Sequence, residues 1–363
     1  MTIAIAQTGA PTAVVNRSLA GFIDGVGSAS VLFGRGGPDA LVAGDLTSER
    51  PSDDELRRTG SWLRGGRRAI TSDDLDAIVS SLDRSGVTGL SLIGGNGTMA
   101  FLDAISTRAR ERGTSLRTVG IPKTIDNDIV GIDHSPGFAS AARYLASTIT
   151  DMARDHEAMV SVEKVRIVEV MGRDTGWLAL AASFHDHDPE YAADLVLTPE
   201  SAFDLDAFIA EVDRMLQAKG RAFVIVSEGV APELTQQPVK EQNHTRLIHG
   251  GISRVLAQAA SDALGVTARG EVLGTAQRCN SALMSPVDAR EAQLLGETAA
   301  AWLSDPSGPT DVMVGLGGDG AIVTLPLADI GGRVRYVPEN WQSSHPRDLT
   351  SFHAWLSPLV ALP

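Results

Sequence analysis

Apolar residues along this chain gather into short runs of Val, Ile, Leu and Ala, and most of the runs stop at a glycine, threonine, proline or aspartate. Residues 2–6, 90–93, 118–121, 166–170, 195–197 and 222–226 are too short for helices and alternate little, which predicts strands buried on both faces. Helical stretches separate them, and that alternation predicts parallel sheets with helices on both sides. Several strands run directly into polar turns: Gln7-Thr8-Gly9, Gly94-Gly95-Asn96-Gly97-Thr98, Pro122-Lys123-Thr124-Ile125-Asp126 and Gly172-Arg173-Asp174. Ligands of open α/β sheets sit beyond the carboxyl ends of the strands, so these turns are expected to converge on one cleft. The polar stretch 232–243 predicts an exposed loop. The segment 41–66, rich in Asp, Arg, Ser and Gly, predicts a mobile surface region.

With 363 residues, 43% of them hydrophobic, the chain exceeds what one compact domain usually fills, and two domains are expected. A formal net charge of -14 and the absence of any Lys/Arg-rich run argue against nucleic acid or an anionic membrane as partner. An anionic substrate must then meet a local basic cluster. The single cysteine, Cys279, rules out an internal disulfide and fits a reducing compartment. Residues 1–6 lack the features of a signal peptide, and no segment offers about 18 unbroken apolar residues, so a soluble cytoplasmic protein is expected. Arginine supplies nearly all the positive charge. The lysines are Lys123, Lys164, Lys219 and Lys240, and a lysine that survives such a bias is a candidate for a particular task.

Two turns carry chemistry. A glycine-rich turn that opens a helix binds phosphate because unshielded backbone N–H groups and the helix dipole both face the anion. Gly94-Gly95-Asn96-Gly97-Thr98, ahead of the helical run 99–108, has that form, although a plain strand-to-helix connection has it too. The turn 122–128 places Asp126 and Asp128 two residues apart after a strand, with a lysine and a threonine just before them. One carboxylate can accept a hydroxyl proton, the other can hold Mg²⁺ on phosphates, and the lysine offsets the charge of a transferring group. The alternative is an Asx-rich loop capping the next helix.

These turns, with three further blocks in the same order, resemble the phosphofructokinase family over nearly the whole chain. The blocks are Gly9-Ala10-Pro11-Thr12-Ala13-Val14-Val15-Asn16, the turn 94–98, the turn 122–128 with Asp133-His134-Ser135-Pro136-Gly137-Phe138, Glu169-Val170-Met171-Gly172-Arg173, and Gln277-Arg278-Cys279 leading to Asp288. The likeness is greatest to the bacterial branch that contains many pyrophosphate-dependent members. It implies an α/β fold of two Rossmann-like three-layer domains with largely parallel sheets. Residues 1–137 with about 288–363 would form a phosphoryl-donor domain, and about 138–287 an acceptor-binding domain. The resemblance further implies Asp126 as general base, assisted by Thr124, Lys123 and Arg173. It places Gly9, Ala10, Arg67, Gly95, Asn96, Gly97 and Thr98 at the donor, and Asp128, Lys164, Met171, Gly172, Glu228 and Arg278 at the acceptor. Mg²⁺ would sit on Asp128 and Asn96. The implied partners are ATP or pyrophosphate and a sugar or polyol acceptor, and a homodimer or homotetramer is implied.

Within the family, pyrophosphate users typically carry Asp where this chain has Gly97, and Gly97 leaves room for a nucleotide, so ATP is favoured. Three positions depart from the family pattern. Ala10 stands for a second glycine, Asn96 for an acidic residue usual in ATP-dependent relatives, and Lys164 for an arginine commonly supplied across a subunit boundary. A lysine lacks the bidentate fork, so an acceptor other than fructose 6-phosphate stays open.

Other residues have plainer readings. Gly317-Gly318-Asp319-Gly320, followed by the β-like run 321–325, predicts a hairpin turn. His185-Asp186-His187-Asp188 reads as a solvated helix end and not as a metal site. His134 reads as support for its own turn, Cys279 as a small packing residue, and the scattered tryptophans as core or interface residues.

Overall fold

In the computed structural model, the described residues are 1–184, 191–235, 237–241, 244–248 and 250–361, with 237–241 and 244–248 described by backbone alone. The His185–Asp188 cluster therefore lies outside the described residues. The strands are β1 (Thr2–Gln7), β2 (Ser30–Gly34), β3 (Leu46–Thr47), β4 (Val87–Gly94), β5 (Arg117–Pro122), β6 (Val165–Val170), β7 (Leu195–Leu197), β8 (Ala222–Ser227), β9 (Gln237–Glu241), β10 (His244–Ile248), β11 (Ala268–Val272), β12 (Val312–Leu316) and β13 (Ile322–Pro326). The helices are α1 (Val15–Gly25), α2 (Pro38–Ala43), α3 (Asp53–Arg57), α4 (Ser72–Arg84), α5 (Asn96–Glu111), α6 (Phe138–Ala158), α7 (Trp177–Ala182), α8 (Leu205–Lys219), α9 (Ile252–Leu264), α10 (Ala276–Cys279), α11 (Pro286–Ser304) and α12 (Thr350–Val360).

Two compact units result: Met1–Ser140 with Arg278–Arg335, and Ala141–Gln277 with Tyr336–Pro363. The first is built on a seven-stranded sheet ordered β13-β12-β5-β4-β1-β2-β3, parallel except at its two outer strands. Its faces are set by the two-residue period of β1. Ile3 and Ile5 pack with Leu19, Phe22, Leu295 and Leu303, while Ala4 and Ala6 face Ile78, Leu82, Met99 and Leu102. Helices α1 and α11 approach unusually closely over three glycines. A Cβ at Gly21 would lie 1.9 Å from the Gln293 carbonyl oxygen, and one at Gly296 would lie 2.1 Å from that of Ser18. The second unit carries a four-stranded parallel sheet, β11-β6-β8-β7.

Every predicted strand is present; 195–197 keeps its bounds and the others are longer by one to three residues at an end. Four expectations change. The segment 41–66 is anchored: Asn16 Nδ2 donates to the carbonyls of Glu55 and Arg58, its Oδ1 accepts from the Trp62 N–H, and Trp62 stacks edge-on against Phe33. Part of its polarity is local, since Ser52 and Glu55 satisfy one another in the exposed capping box of α3, whose first turn also carries Asp53 and Asp54. Within the stretch 232–243, residues Pro232–Leu234 form a 3₁₀ turn and Gln237–Glu241 form β9, which pairs antiparallel with β10. The first unit closes at Arg335 and not at 363, with its other borders at 140 and 278. Residues 336–363 join the second unit because Val196 N–H donates to the Ser344 carbonyl and because Trp341, Phe352 and Trp355 surround the buried Trp177. The tryptophans are thus one cluster with Trp62 and Trp302 apart from it. The turn 317–321 does join β12 to β13 as a hairpin.

Candidate active site

In the first unit, the turns after β1, β4 and β5 lie together because those strands are adjacent and parallel. After β4 the chain passes through Gly95 straight into α5, and no side chain caps the helix, so its first N–H groups stay unshielded. A side chain at Gly94 would overlap Thr98, whose buried hydroxyl sits 2.5 Å from that of Thr8. The Thr98 hydroxyl ties the turn after β1 to the turn after β4. Gly97 is exposed and borders open space on its Cβ side. Gly9 takes φ +77° and donates its N–H to the Gly66 carbonyl, which brings the Arg67 segment beside the first turn. Ala10 is accommodated, and its carbonyl is turned toward Lys123.

Lys123 is the centre of this unit's turns. It is 4% exposed, and its Nζ donates to the carbonyls of Ala10 (2.5 Å) and Thr8 (3.4 Å). Burial lowers its pKa to about 8. Asp126 and Asp128 oppose that fall, and Arg67 and Arg278 reinforce it. Four charged residues from three separate stretches of sequence therefore act on one ammonium group. Thr124 Oγ1 accepts the N–H of Asp126. Asn96 Nδ2 donates to both the backbone carbonyl and Oδ2 of Asp128, each at 3.0 Å, and the Arg335 N–H donates to the same carbonyl at 2.8 Å.

Asn96 keeps its Oδ1 buried with no hydrogen-bond partner, next to the Asp128 carboxylate. Two hard oxygen donors fit Mg²⁺, which keeps several waters and takes one or two protein ligands beside substrate phosphates. Among the described residues no group of three or more His, Cys, Asp or Glu could hold a metal, so a cage made wholly of protein ligands is not what these side chains offer.

Protonated His134 donates from Nδ1 to Asp133 at 2.8 Å and from Nε2 to Glu291 at 2.7 Å. Burial alone would lower its pKa, but the two carboxylates override it and raise it to about 9, so it is a charged clamp between its turn and α11. Asp288 is fully buried at the N-terminus of α6, accepting from the N–H groups of Gly137 and Ser140. Cys279 is exposed, which corrects the packing role expected of it.

In the second unit, Met171, Gly172 and Arg173 follow β6, and Glu228 follows its neighbour β8. Arg173 is exposed with φ +53°, and its N–H donates to Glu228 Oε1 at 3.2 Å. A Cβ at Gly229 would fall 1.8 Å from the Arg173 carbonyl oxygen, so glycine there permits the kink. Met171 N–H donates to Gln277 Oε1. Lys164 does not join this group. It precedes β6, while Met171 follows it, a separation of roughly 20 Å at about 3.3 Å per residue. Beside Lys164, Arg269 on the edge strand β11 is 61% exposed while pairing with Glu163, a cation that no motif marks.

The family model for phosphofructokinase matches residues 2–303. The chain is 33% identical, over its whole length and 96% of the relative's, to the sulfofructose kinase of Alkalicoccus urumqiensis. It is 32% identical, over 99% of its length and 94% of the relative's, to the pyrophosphate–fructose 6-phosphate 1-phosphotransferase of Rhodospirillum rubrum. Among solved structures, the pyrophosphate-dependent phosphofructokinase of Nitrosospira multiformis superposes with a TM-score of 0.86 at 25% identity, covering 99% of this chain and 91% of that one.

Proposed function

Because the chain belongs to the phosphofructokinase family and is an enzyme of that type, we propose that it moves a phosphoryl group from ATP to a hydroxyl of sulfofructose. The observation that carries the transfer chemistry is the gathering of Asp126, Asp128, Arg67 and Arg278 around the buried Lys123. Asp126 takes the acceptor's hydroxyl proton. Thr124, Lys123 and Arg67 contact donor phosphate, together with the unshielded N–H groups that open α5. Asp128 and Asn96 would hold Mg²⁺, the divalent metal typical of the family's kinases, whose charge offsets that of the donor phosphates. In the second unit, Arg173 would stabilise developing charge, and Met171, Gly172 and Glu228 would line the acceptor.

Gly97 supports ATP as the donor, because its open Cβ side leaves space where an acidic residue would repel a nucleotide. The full-length likeness to a sulfofructose kinase and the presence of Lys164 support this acceptor. A sulfonate carries one negative charge, whereas a phosphate monoester carries about 1.5 to 2 at neutral pH, so a single ammonium in place of a guanidinium fork suits the former better. Lys164 lies too far along β6 to serve its own chain's Met171 and Gly172, so it would serve a neighbouring copy in a homodimer or homotetramer.

Initial rates with ATP and pyrophosphate, each against sulfofructose, fructose 6-phosphate and free polyols, test the assignment. ATP with sulfofructose is expected to give the highest kcat/KM. Higher kcat/KM with pyrophosphate, or with fructose 6-phosphate, overturns the donor or the acceptor respectively. Asp126→Asn is expected to lower kcat by about 10²–10⁴ with the fold intact, and unchanged turnover removes the assigned base.

A further inference from the structure

We propose that Asn127, the residue between the two carboxylates, is a positioning residue that fixes how Asp126 and Asp128 are oriented relative to one another; the inference rests on the phosphotransferase reading above. Asn127 is fully buried and adopts φ +54°, the left-handed region that a non-glycine residue enters at a cost and that asparagine tolerates best. Its side chain holds it there, because Oδ1 accepts the N–H of Ser135 at 3.0 Å, across the turn that carries His134.

The backbone on either side of Asn127 is pinned separately. Before it, the Asp126 N–H is bonded to Thr124 Oγ1, and Thr124 N–H to the Pro136 carbonyl. After it, the Asp128 carbonyl receives Asn96 Nδ2 and the Arg335 N–H. The φ angle of Asn127 is therefore a torsion linking two anchored segments. Relaxing it toward the right-handed value near -60° would rotate one carboxylate against the other by roughly 110°. Glycine would permit the angle without enforcing it, and alanine would oppose it. Asparagine alone among these both permits the angle and satisfies the buried Ser135 N–H.

The test compares Asn127→Gly, Asn127→Ala and Asn127→Asp with the parent, using the donor and acceptor that give the parent its best turnover. Asn127→Gly is expected to lower kcat about tenfold while the acceptor KM stays within about twofold, and to weaken calorimetric binding of Mg·ATP. Asn127→Ala, which keeps neither the angle nor the hydrogen bond, is expected to lower kcat about a hundredfold. Asn127→Asp keeps the acceptor for Ser135 but adds a carboxylate beside Asp126, so the acidic limb of its kcat/KM profile should move to higher pH. A folded Asn127→Gly with kcat and Mg·ATP affinity within twofold of the parent overturns the proposal. So does a loss of activity that tracks a lowered Tm and is recovered on cooling, with an unshifted pH profile, since that is a structural role only. Activity retained in Asp126→Asn instead removes the reading beneath it, so the two failures are distinguishable.

Discussion

Titrating Lys123 probes the site most directly, because its perturbation has a stated size and cause. Burial lowers its pKa from 10.5 to about 8, with Asp126 and Asp128 opposing the fall and Arg67 and Arg278 deepening it. At about 1.4 kcal/mol for each tenfold change, the displacement corresponds to about 3 kcal/mol against the charged form in the folded protein. In the free enzyme, kcat/KM for the donor should fall tenfold per pH unit above about 8, as the ammonium that meets phosphate is lost. Bound donor adds negative charge beside the ammonium and holds its proton, so the same limb in kcat should lie at higher pH. Lys123→Met should be slower by a factor on the order of 10² and should show no limb. The linked stability change has the opposite direction. Between pH 8 and 10.5 the unfolded lysine is protonated and the folded one is not, so stability rises with pH across that window, by up to about 3 kcal/mol. Urea unfolding of parent and Lys123→Met at pH 7.5 and 10 isolates this rise as a difference between the two proteins. A parent profile flat to pH 10, or a limb that persists in Lys123→Met, refutes the reasoning.

Two further outcomes follow from the first unit. His134 has its pKa raised from 6.5 to about 9, so its ion pairs contribute fully below pH 6.5 and are lost as pH rises through about 9. His134→Gln should therefore destabilise the protein by about 2–3 kcal/mol at pH 6 and much less at pH 9.5, and an equal loss at both pH values would contradict the clamp. Gly21→Ala should lower stability by about 2 kcal/mol, because overpacking against the Gln293 carbonyl outweighs the gain of about 1 kcal/mol in helix propensity; a raised Tm would show that α1 and α11 separate freely.

The sequence displays the buried parallel strands because they are dense in β-branched and aliphatic residues and end in turn residues. It does not mark them all: β2 and β12 are inner strands outside the predicted runs, and β12 is buried at every residue. β11 is half-exposed along its length, and β3 has two residues, so neither has a run to read. The turns after β1, β4 and β5 stand out as motifs, since glycines and closely spaced carboxylates directly after a strand are readable from sequence. What those motifs leave out is the supporting contacts. Arg335 reaches the Asp128 carbonyl from more than two hundred residues away, and Thr98 is occupied by Thr8 across ninety positions. The anchoring of 41–66 depends in the same way on one distant residue, Asn16, whose neighbours in sequence give no hint of it. Local composition there is polar for a local reason, the capping of α3, and composition cannot report that its carbonyls are held from outside.

Asn96 is where these long-range contacts alter the chemistry. The groups acting on Lys123 are Arg67 and Arg278 against Asp126 and Asp128, so with Lys123 itself the turn carries three cations and two carboxylates. A carboxylate at position 96 would cancel that excess. It would also set a second anion about where Asn96 Nδ2 now stands, 3.0 Å from Asp128 Oδ2, and would remove the donor that orients Asp128. With the amide, Asp128 is held in place before any cation arrives, and one oxygen, Asn96 Oδ1, is left for a ligand. The amide adds no further negative charge beside Asp128, on a chain whose overall charge of -14 disfavours anions. A carboxamide in place of a carboxylate at position 96 thus leaves one negative charge fewer beside Asp128.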